Sequence, residues 1–362
     1  MSTTPENTPA PAASRRILSF AVRFLLPLAL TVALVWYMFK KVDFADMMQI
    51  IRRGVDYWWI LLAMGISVLS HIARAARWRI QLRALDIRPR FMALCCSIFG
   101  TYALNLVFPR LGEVWRCTYI SRRQKAPFST VLGSMVADRL SDTLVVMFLF
   151  LLTFVVATPA INAFLAKYPV GQDMLHRVEQ WWFWVAAVVA AGACWAVFHF
   201  GAAVPVIARL RDMVSKIWKG FAVVASMPGR GRFILLTLAI WGCYFMQLYV
   251  AFYAFSFTRA LCHEPGLAAG FEPCLVAFVL SSIGMAIPSN GGLGPWNLAV
   301  IFGLAIFGIG DAQGTAFAML VWSAQTVMLI ILGIYTMIYI AVSRKESAHV
   351  TATVDTNLLS KK

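Results

Sequence analysis

Three ionisable residues lie inside an apolar run that is long enough to cross a bilayer. Residues 131–157 contain Asp138, Arg139 and Asp142, within the sequence VADRLSDTLVV. On a helix, Asp138 and Asp142 share one face, and Arg139 lies three residues before Asp142. Charged groups in a membrane span are costly unless they face partners or a polar cavity. Arg139 therefore either fixes this helix to the preceding segment through Glu113, or the three residues line a charged cavity for a lipid headgroup.

A second charged group follows the shorter apolar stretch of residues 91–108 and a proline. It comprises Asn105, Arg110, Glu113 and Arg116. The last three residues are spaced by three, so a helix that starts after the proline places them roughly on one side. Arginine guanidinium groups match the geometry of phosphate. These residues bind a phosphate, or they anchor the segment at the inner membrane face.

A glycine-rich break interrupts the long apolar stretch of residues 271–310. Residues 288–295 read PSNGGLGP, and two prolines with three glycines cannot form a continuous helix. Free amides and the start of the next helix favour an anion here. The alternative is turn geometry with close helix packing, and the Lys-Ser/Thr ending of a phosphate-binding P-loop is absent. We expect a gate formed by Pro288, Gly291, Gly292, Gly294 and Asn297.

Two further arginines, Arg74 and Arg77, follow the apolar run of residues 57–73 and lie near His71. We expect them to extend along the apolar surface to the inner headgroups. The histidines show no metal-ligand spacing, the seven cysteines form no CxxC pair, and no serine–histidine or cysteine–histidine set is evident. The sequence therefore predicts no metal, no cofactor and no catalytic residue, with the cysteines acting as small buried hydrophobes.

The composition excludes a soluble domain. Hydrophobic residues make up 60% of the 362 residues, and only 13% are charged, against about 25% in soluble proteins. The net charge of +16 is spread over several short loops, without any finger spacing or RNA-binding box. We therefore expect no nucleic-acid partner and interpret the excess of Lys and Arg as a record of membrane orientation.

The apolar pattern predicts an all-α polytopic membrane protein of about six transmembrane helices plus two re-entrant or hairpin segments. If the segments 91–125 and 271–310 each leave the membrane on the side from which they enter, 24 of the 32 Lys and Arg lie inside, 7 lie outside, and Arg139 lies within a span. Both termini are then cytoplasmic, and the membrane is the bacterial inner membrane. The six runs of about 20 residues are 17–39, 57–73, 131–157, 181–200, 233–257 and 315–342.

Each half of this topology consists of two spans, a hairpin and a third span. Because three crossings reverse the starting side, the halves form an inverted repeat, as in many transporters. We expect a single membrane domain over residues 15–342, with disordered tails at 1–14 and 343–362. Its parts are half one (15–157), half two (181–342) and a basic amphipathic connector along the inner surface (201–232).

Four motifs distributed over residues 15–342 support a family resemblance. They read Arg74-x-x-Arg77-Trp78, Asn105-x-x-x-Pro109-Arg110-x-Gly112-Glu113-x-x-Arg116, Asp138-Arg139-x-x-Asp142 and Pro288-x-x-Gly291-Gly292-x-Gly294. Together they resemble the flippase-like family of the lysylphosphatidylglycerol synthase transmembrane region. The resemblance implies a membrane region that moves aminoacylated phosphatidylglycerol across the bilayer, while a separate soluble domain of the synthase transfers the amino acid. The tail after residue 342 is too short for that domain, so we expect the stand-alone form.

Three functions stay open at this point. The first is a lipid flippase or headgroup transporter, with phosphate on Arg110, Arg116 and Arg139 and charge balance or a cationic headgroup on the acidic residues. The second is a membrane transferase for phosphatidylglycerol or another lipid-linked substrate, with Glu113 or Asp138 as base. The third is a non-transporting partner of a lipid-modifying enzyme. The expected partner is a membrane phospholipid or other lipid-linked substrate, and the sequence does not determine the oligomeric state.

Overall fold

The structure, a computed structural model, describes residues 44–159 and 229–359 and the isolated positions 29, 32, 33, 36, 162, 180–182, 185, 186, 188, 189 and 192. Within the two long ranges all regular elements are helical, which confirms the all-α class. Short 3-10 turns lie at Ala268–Gly270 and Asn290–Gly292. The helices are α1 (Phe44–Gly54), α2 (Tyr57–Ala84), α3 (Phe91–Val107), α4 (Leu111–Gln124), α5 (Phe128–Val156), α6 (Arg230–Phe252), α7 (Ser256–Leu261), α8 (Phe271–Gly284), α9 (Pro295–Ala305) and α10 (Asp311–Leu359).

Four of these helices are long and apolar enough to cross a bilayer: α2, α5, α6 and the part of α10 up to Ser343. Their outward faces carry large apolar side chains, such as Phe148 (64% exposed) and Val155 (75% exposed), which suit hydrocarbon rather than water. These helices confirm the predicted runs 57–73, 131–157, 233–257 and 315–342 as spans. The predicted spans 17–39 and 181–200 and most of the connector 201–232 lie outside the described residues.

Two helical hairpins separate the spans, as the sequence predicts. In the first, α3 ends at Val107, α4 begins at Leu111, and the two helices pack against each other. In the second, α8 ends at Gly284 and α9 begins at Pro295, after the 3-10 turn. Both breaks need left-handed backbone, which Gly291 and Gly294 adopt at φ 58° and 90° in the second turn.

The halves are related as an inverted repeat. α2 and α6 run antiparallel to each other. Two hydrogen bonds show this: Asp56 N–H donates to Ala254 O at one end of the pair, and Arg77 donates to Thr237 at the other. Two further pairs of contacts match, since α3 packs on α10 as α8 packs on α5, and α4 packs on α5 as α9 packs on α10. Helices that correspond but point in opposite directions are the expected result of inverted topology.

Two boundaries differ from the sequence prediction. α2 continues to Ala84, past the predicted end at residue 73, because its last turns are buried rather than exposed to headgroups. α10 continues as a helix to Leu359, where the sequence predicts a disordered tail from 343 onward. Since residues 334–359 contain no glycine and no proline, nothing in the covalent structure of the backbone breaks this helix.

Candidate functional site

A buried cluster of charges lies where α2, α5 and α6 meet. Arg77 Nη2 lies 2.7 Å from Asp138 Oδ1 and 2.8 Å from Asp142 Oδ1. Arg74 Nη1 lies 2.7 Å from Asp142 Oδ2 and 3.4 Å from Asp138 Oδ2. The two arginines are three residues apart on α2, and the two aspartates are four apart on α5, so each pair occupies one helix face. The result is a network in which each arginine contacts both carboxylates.

The expectation that Arg74 and Arg77 extend to the headgroups is wrong. Their residues are only 3% and 0% exposed, and both guanidinium groups point into the protein. Two carboxylates in hydrogen-bonding contact offset the cost of burying these cations, which apolar surface alone would not. Arg74 and Arg77 are thus the counter-ions of Asp138 and Asp142.

Helix α6 completes the surroundings of the two arginines. Arg74 donates to Tyr244 Oη from Nε and Nη2, at 3.3 and 3.2 Å. Arg77 Nη1 donates to Thr237 Oγ1 at 3.2 Å, and its guanidinium lies over the ring of Phe233. The hydroxyl of Tyr244 also lies 3.5 Å from that of Tyr102 on α3. These contacts bring α6 of the second half into the charge cluster of the first.

Arg116 is the least satisfied member of the cluster. It is 1% exposed, its guanidinium stacks on the ring of Trp78 at 4.7 Å, and its nearest carboxylate oxygen, on Asp138, is 4.0 Å away. Trp78 is held in place by a 3.0 Å hydrogen bond from Nε1 to Ser134 Oγ. Among the described residues, Nε and Nη2 of Arg116 have no hydrogen-bond acceptor. Buried donors of this kind normally have partners.

The buried charges do not balance within the described residues. Three arginines (Arg74, Arg77 and Arg116) face two aspartates (Asp138 and Asp142), which leaves one positive charge in excess. Burying a cation without a counter-ion costs free energy, and an anion that binds beside the cation offsets this cost. The arrangement can therefore accept one negative charge beside Arg116.

Arg139 and Glu113 form a separate pair beside this cluster. Arg139 Nη2 lies 2.5 Å from Glu113 Oε1, with the side chains 36% and 22% exposed. This is the contact that one of the two sequence interpretations predicts, in which Arg139 fixes α5 to the first hairpin. Because both charges are already paired, the pair adds no net charge to the site.

The side-chain oxygen of Asn105 is used within the first hairpin. Its Oδ1 accepts a 2.9 Å hydrogen bond from Gly112 N–H, which satisfies a free amide of the first turn of α4. A side chain at Gly112 would overlap the carbonyl oxygen of Thr101. Asn105 and Gly112 therefore hold α3 against α4.

Arg110 lies between the two hairpins. It has a φ of 63°, is exposed, and donates from Nη2 to Ala286 O of the second hairpin at 3.3 Å.

The second hairpin contains a matching internal lock. Asn297 is fully buried, accepts from Gly294 N–H at 3.1 Å and donates to Ala318 O of α10 at 3.2 Å. Gly291 O accepts a 2.9 Å hydrogen bond from Trp322 Nε1. These contacts match the turn-and-packing interpretation of the glycine-rich break.

The tips of the two hairpins contact each other. Asn290 Nδ2 donates to Val107 O at 2.8 Å, and a side chain at Gly291 would meet Leu106. Gly292 is buried against Met285, whereas Pro288 is exposed. Of the residues predicted as a gate, Gly291 lies against the first hairpin, whereas Gly292, Gly294 and Asn297 make the contacts described above within the second half.

The sequence did not assign Tyr102, Thr237 and Tyr244 to the site. One signal was available, because Thr237 and Tyr244 are polar residues spaced by seven in an apolar run and so share a helix face. No cluster of His, Cys, Asp and Glu that could hold a metal occurs among the residues that the structure describes.

Comparison with known proteins identifies relatives of the chain. The model of a family described as the lysylphosphatidylglycerol synthase TM region matches residues 24–333. A UPF0104 membrane protein of Methanocaldococcus jannaschii is 24% identical over 118 residues, which cover 32% of this chain and 34% of the relative. That alignment therefore spans about a third of the relative's length.

Proposed function

Since the chain belongs to the family of the lysylphosphatidylglycerol synthase transmembrane region, we propose that it moves a phospholipid with an anionic phosphate between the leaflets of a membrane. We place it in the bacterial plasma membrane with both termini in the cytoplasm, and the distribution of Lys and Arg favours this orientation. The observation that carries the proposal is the one excess positive charge in the buried cluster. Arg116 is the arginine of this cluster whose Nε and Nη2 lack a hydrogen-bond acceptor among the described residues.

A phosphodiester supplies what this cluster lacks. It carries one negative charge and oxygen acceptors, which match a single excess charge and the two nitrogens of Arg116, Nε and Nη2, that lack an acceptor among the described residues. In an apolar bilayer the phosphate must exchange its hydration for protein contacts. Arg110, which is exposed between the hairpin tips, is the proposed second contact along the path.

The roles of the acidic residues change under this proposal. Asp138 and Asp142 are bound by two arginines, and Glu113 is bound by Arg139, so these carboxylates are not free to hold a cationic headgroup. Their arginine partners also weigh against a transferase in which Glu113 or Asp138 is the general base, because an arginine in contact stabilises the deprotonated carboxylate and weakens it as a proton acceptor.

The inverted repeat offers a route for movement. The two hairpins contact each other through hydrogen bonds from Asn290 and Arg110 to backbone oxygens. Rocking of one half against the other would exchange these hairpin contacts and shift α6 along α2, whereas the ion pairs between α2 and α5 lie within the first half and stay intact. Alternating exposure around a fixed site is the usual behaviour of such folds.

Lipid movement in proteoliposomes tests the proposal. The protein is reconstituted with fluorescent phosphatidylglycerol, and the fraction of label that an external quencher reaches is followed with time. The wild type should move label and bind phosphatidylglycerol in native mass spectrometry, and Arg116→Gln should lose both. The matched control is Arg122→Gln, an exposed arginine on the same helix, which should behave as the wild type. Equal lipid movement by Arg116→Gln and the wild type would refute the proposal.

A further inference from the structure

His71 is a buried imidazole that the proposed lipid site does not use. It lies one turn before Arg74 on α2, is 2% exposed, and packs on the ring of Tyr102 with ring centroids 4.4 Å apart. Neither Nδ1 nor Nε2 has a hydrogen-bond partner among the described residues. A buried histidine with both nitrogens free can accept a proton when its electrostatic surroundings allow.

The surroundings of His71 include both aromatic and polar groups, since the ring of Phe99 meets the imidazole edge-on with centroids 6.5 Å apart and polar side chains lie nearby. Ser67, one turn earlier on α2, accepts a 3.0 Å hydrogen bond from Gln325 on α10, which in turn accepts one from Gln247 on α6. The titratable and charged groups on this side are Arg74 on α2, Tyr102 on α3, Tyr244 on α6, and Asp138, Arg139 and Asp142 on α5.

The excess positive charge of the cluster decides when His71 can be protonated. With the cluster at one positive charge, an imidazolium beside Arg74 would bring a second positive charge into a buried site. An anion bound at Arg116 removes the excess, and protonation of His71 then returns the cluster to its original net charge. Anion binding and proton binding therefore favour each other, and this linkage is reciprocal.

We propose that His71 takes up one proton when an anionic headgroup binds, so that lipid movement is coupled to protons. This inference rests on the proposed function, since it needs the phosphate at Arg116. The proton is taken from water on the side where the lipid enters and binds an imidazole nitrogen. It returns to water when the phosphate leaves the site on the other side.

The test measures the lipid and the proton separately. A water-soluble short-chain phosphatidylglycerol is added to the purified full-length protein in weakly buffered micelles, and a pH indicator reports proton uptake. The same probe is titrated at pH 8 and pH 6. The wild type should take up a proton and bind about tenfold more tightly at pH 6, within the 5–150-fold range of typical coupling.

Two His71 variants and one control identify the proton acceptor. His71→Phe keeps a ring against Tyr102, and His71→Gln keeps a polar group, and both should bind the probe without proton uptake and without the pH effect. His263→Gln changes an exposed histidine and should leave both intact. Proton uptake that persists in the two His71 variants would overturn the inference.

The failure of the inference can be told apart from failure of the proposed function. If the wild type moves and binds phosphatidylglycerol but takes up no proton, His71 is not a coupling residue and the lipid function stands. If the wild type neither binds nor moves the lipid, both proposals fail. Should one of the two His71 variants not fold, the other decides the inference.

Discussion

The excess of one buried positive charge predicts that two substitutions within one ion pair have unequal costs. Asp138→Asn would leave Arg74, Arg77 and Arg116 facing Asp142 alone, which raises the excess from one charge to two. Arg77→Gln would instead lower the excess to zero, while Asp138 keeps Arg74 at 3.4 Å and Arg116 at 4.0 Å. The aspartate substitution should therefore destabilise the protein more.

The magnitudes follow from the contacts that each variant loses. Asp138→Asn removes the carboxylate that lies 2.7 Å from Arg77, and breaking a buried ion pair in this way costs about 3–5 kcal/mol. Arg77→Gln mainly removes hydrogen bonds to groups that keep another arginine, at about 1–3 kcal/mol. The double variant should cost less than the sum of the two, by about 0.5–3 kcal/mol, because the residues are in direct contact.

Denaturant unfolding in phospholipid-free micelles, followed by tryptophan fluorescence, measures these free energies of unfolding. The control is Asp86→Asn, at a carboxylate with its side chain 91% exposed, which should change stability by less than about 0.5 kcal/mol. If Arg77→Gln proves as destabilising as Asp138→Asn, or if the two costs simply add, the charge count behind the lipid site is wrong.

Two further predictions concern the first hairpin. Gly112→Ala should destabilise the protein and abolish lipid movement, because its Cβ would overlap Thr101 O, whereas Gly133→Ala, in open space on α5, should be neutral or slightly stabilising in the same unfolding assay. Glu113→Gln should cost at most about 1 kcal/mol, because its partner Arg139 is partly exposed, and salt should reduce the difference from the wild type. A cost for Glu113→Gln as large as that of Asp138→Asn would contradict the separation of this pair from the buried cluster.

The parts of the fold that depend on local patterns could be predicted from the sequence. Apolar runs near 20 residues mark α2, α5, α6 and α10, and prolines and glycines mark the breaks at 109 and 288–295. The runs and breaks depend on neighbours in sequence, which spacing arguments describe well. The pairing of Arg139 with Glu113, which lies on another helix, was one of the two interpretations that the sequence left open.

The partners of Arg74 and Arg77 could not be predicted in the same way. Their carboxylates lie on another helix, more than sixty residues later, and a basic residue at the end of an apolar run usually extends to the headgroups. Only the packing of α2 against α5 and α6 shows that the run does not end at residue 73. The roles of Asn105 and Asn297 as internal locks depend likewise on the fold of each hairpin.

The inverted repeat also explains how one fold can treat an anion differently from its two sides. Arg74 is the eighteenth residue of α2 and Asp142 the fifteenth of α5, and they form an ion pair. Gln247 and Gln325 occupy the same ordinal positions in α6 and α10, and they form a 2.9 Å hydrogen bond. The second half thus has a neutral amide pair where the first has charges. Under the proposed function, an anionic phosphate binds more strongly beside the arginines than beside the amides, because only the former supply charge. The repeat therefore keeps a polar contact at the same helix positions in both halves, and only the first half adds the charge that the proposed phosphate site needs.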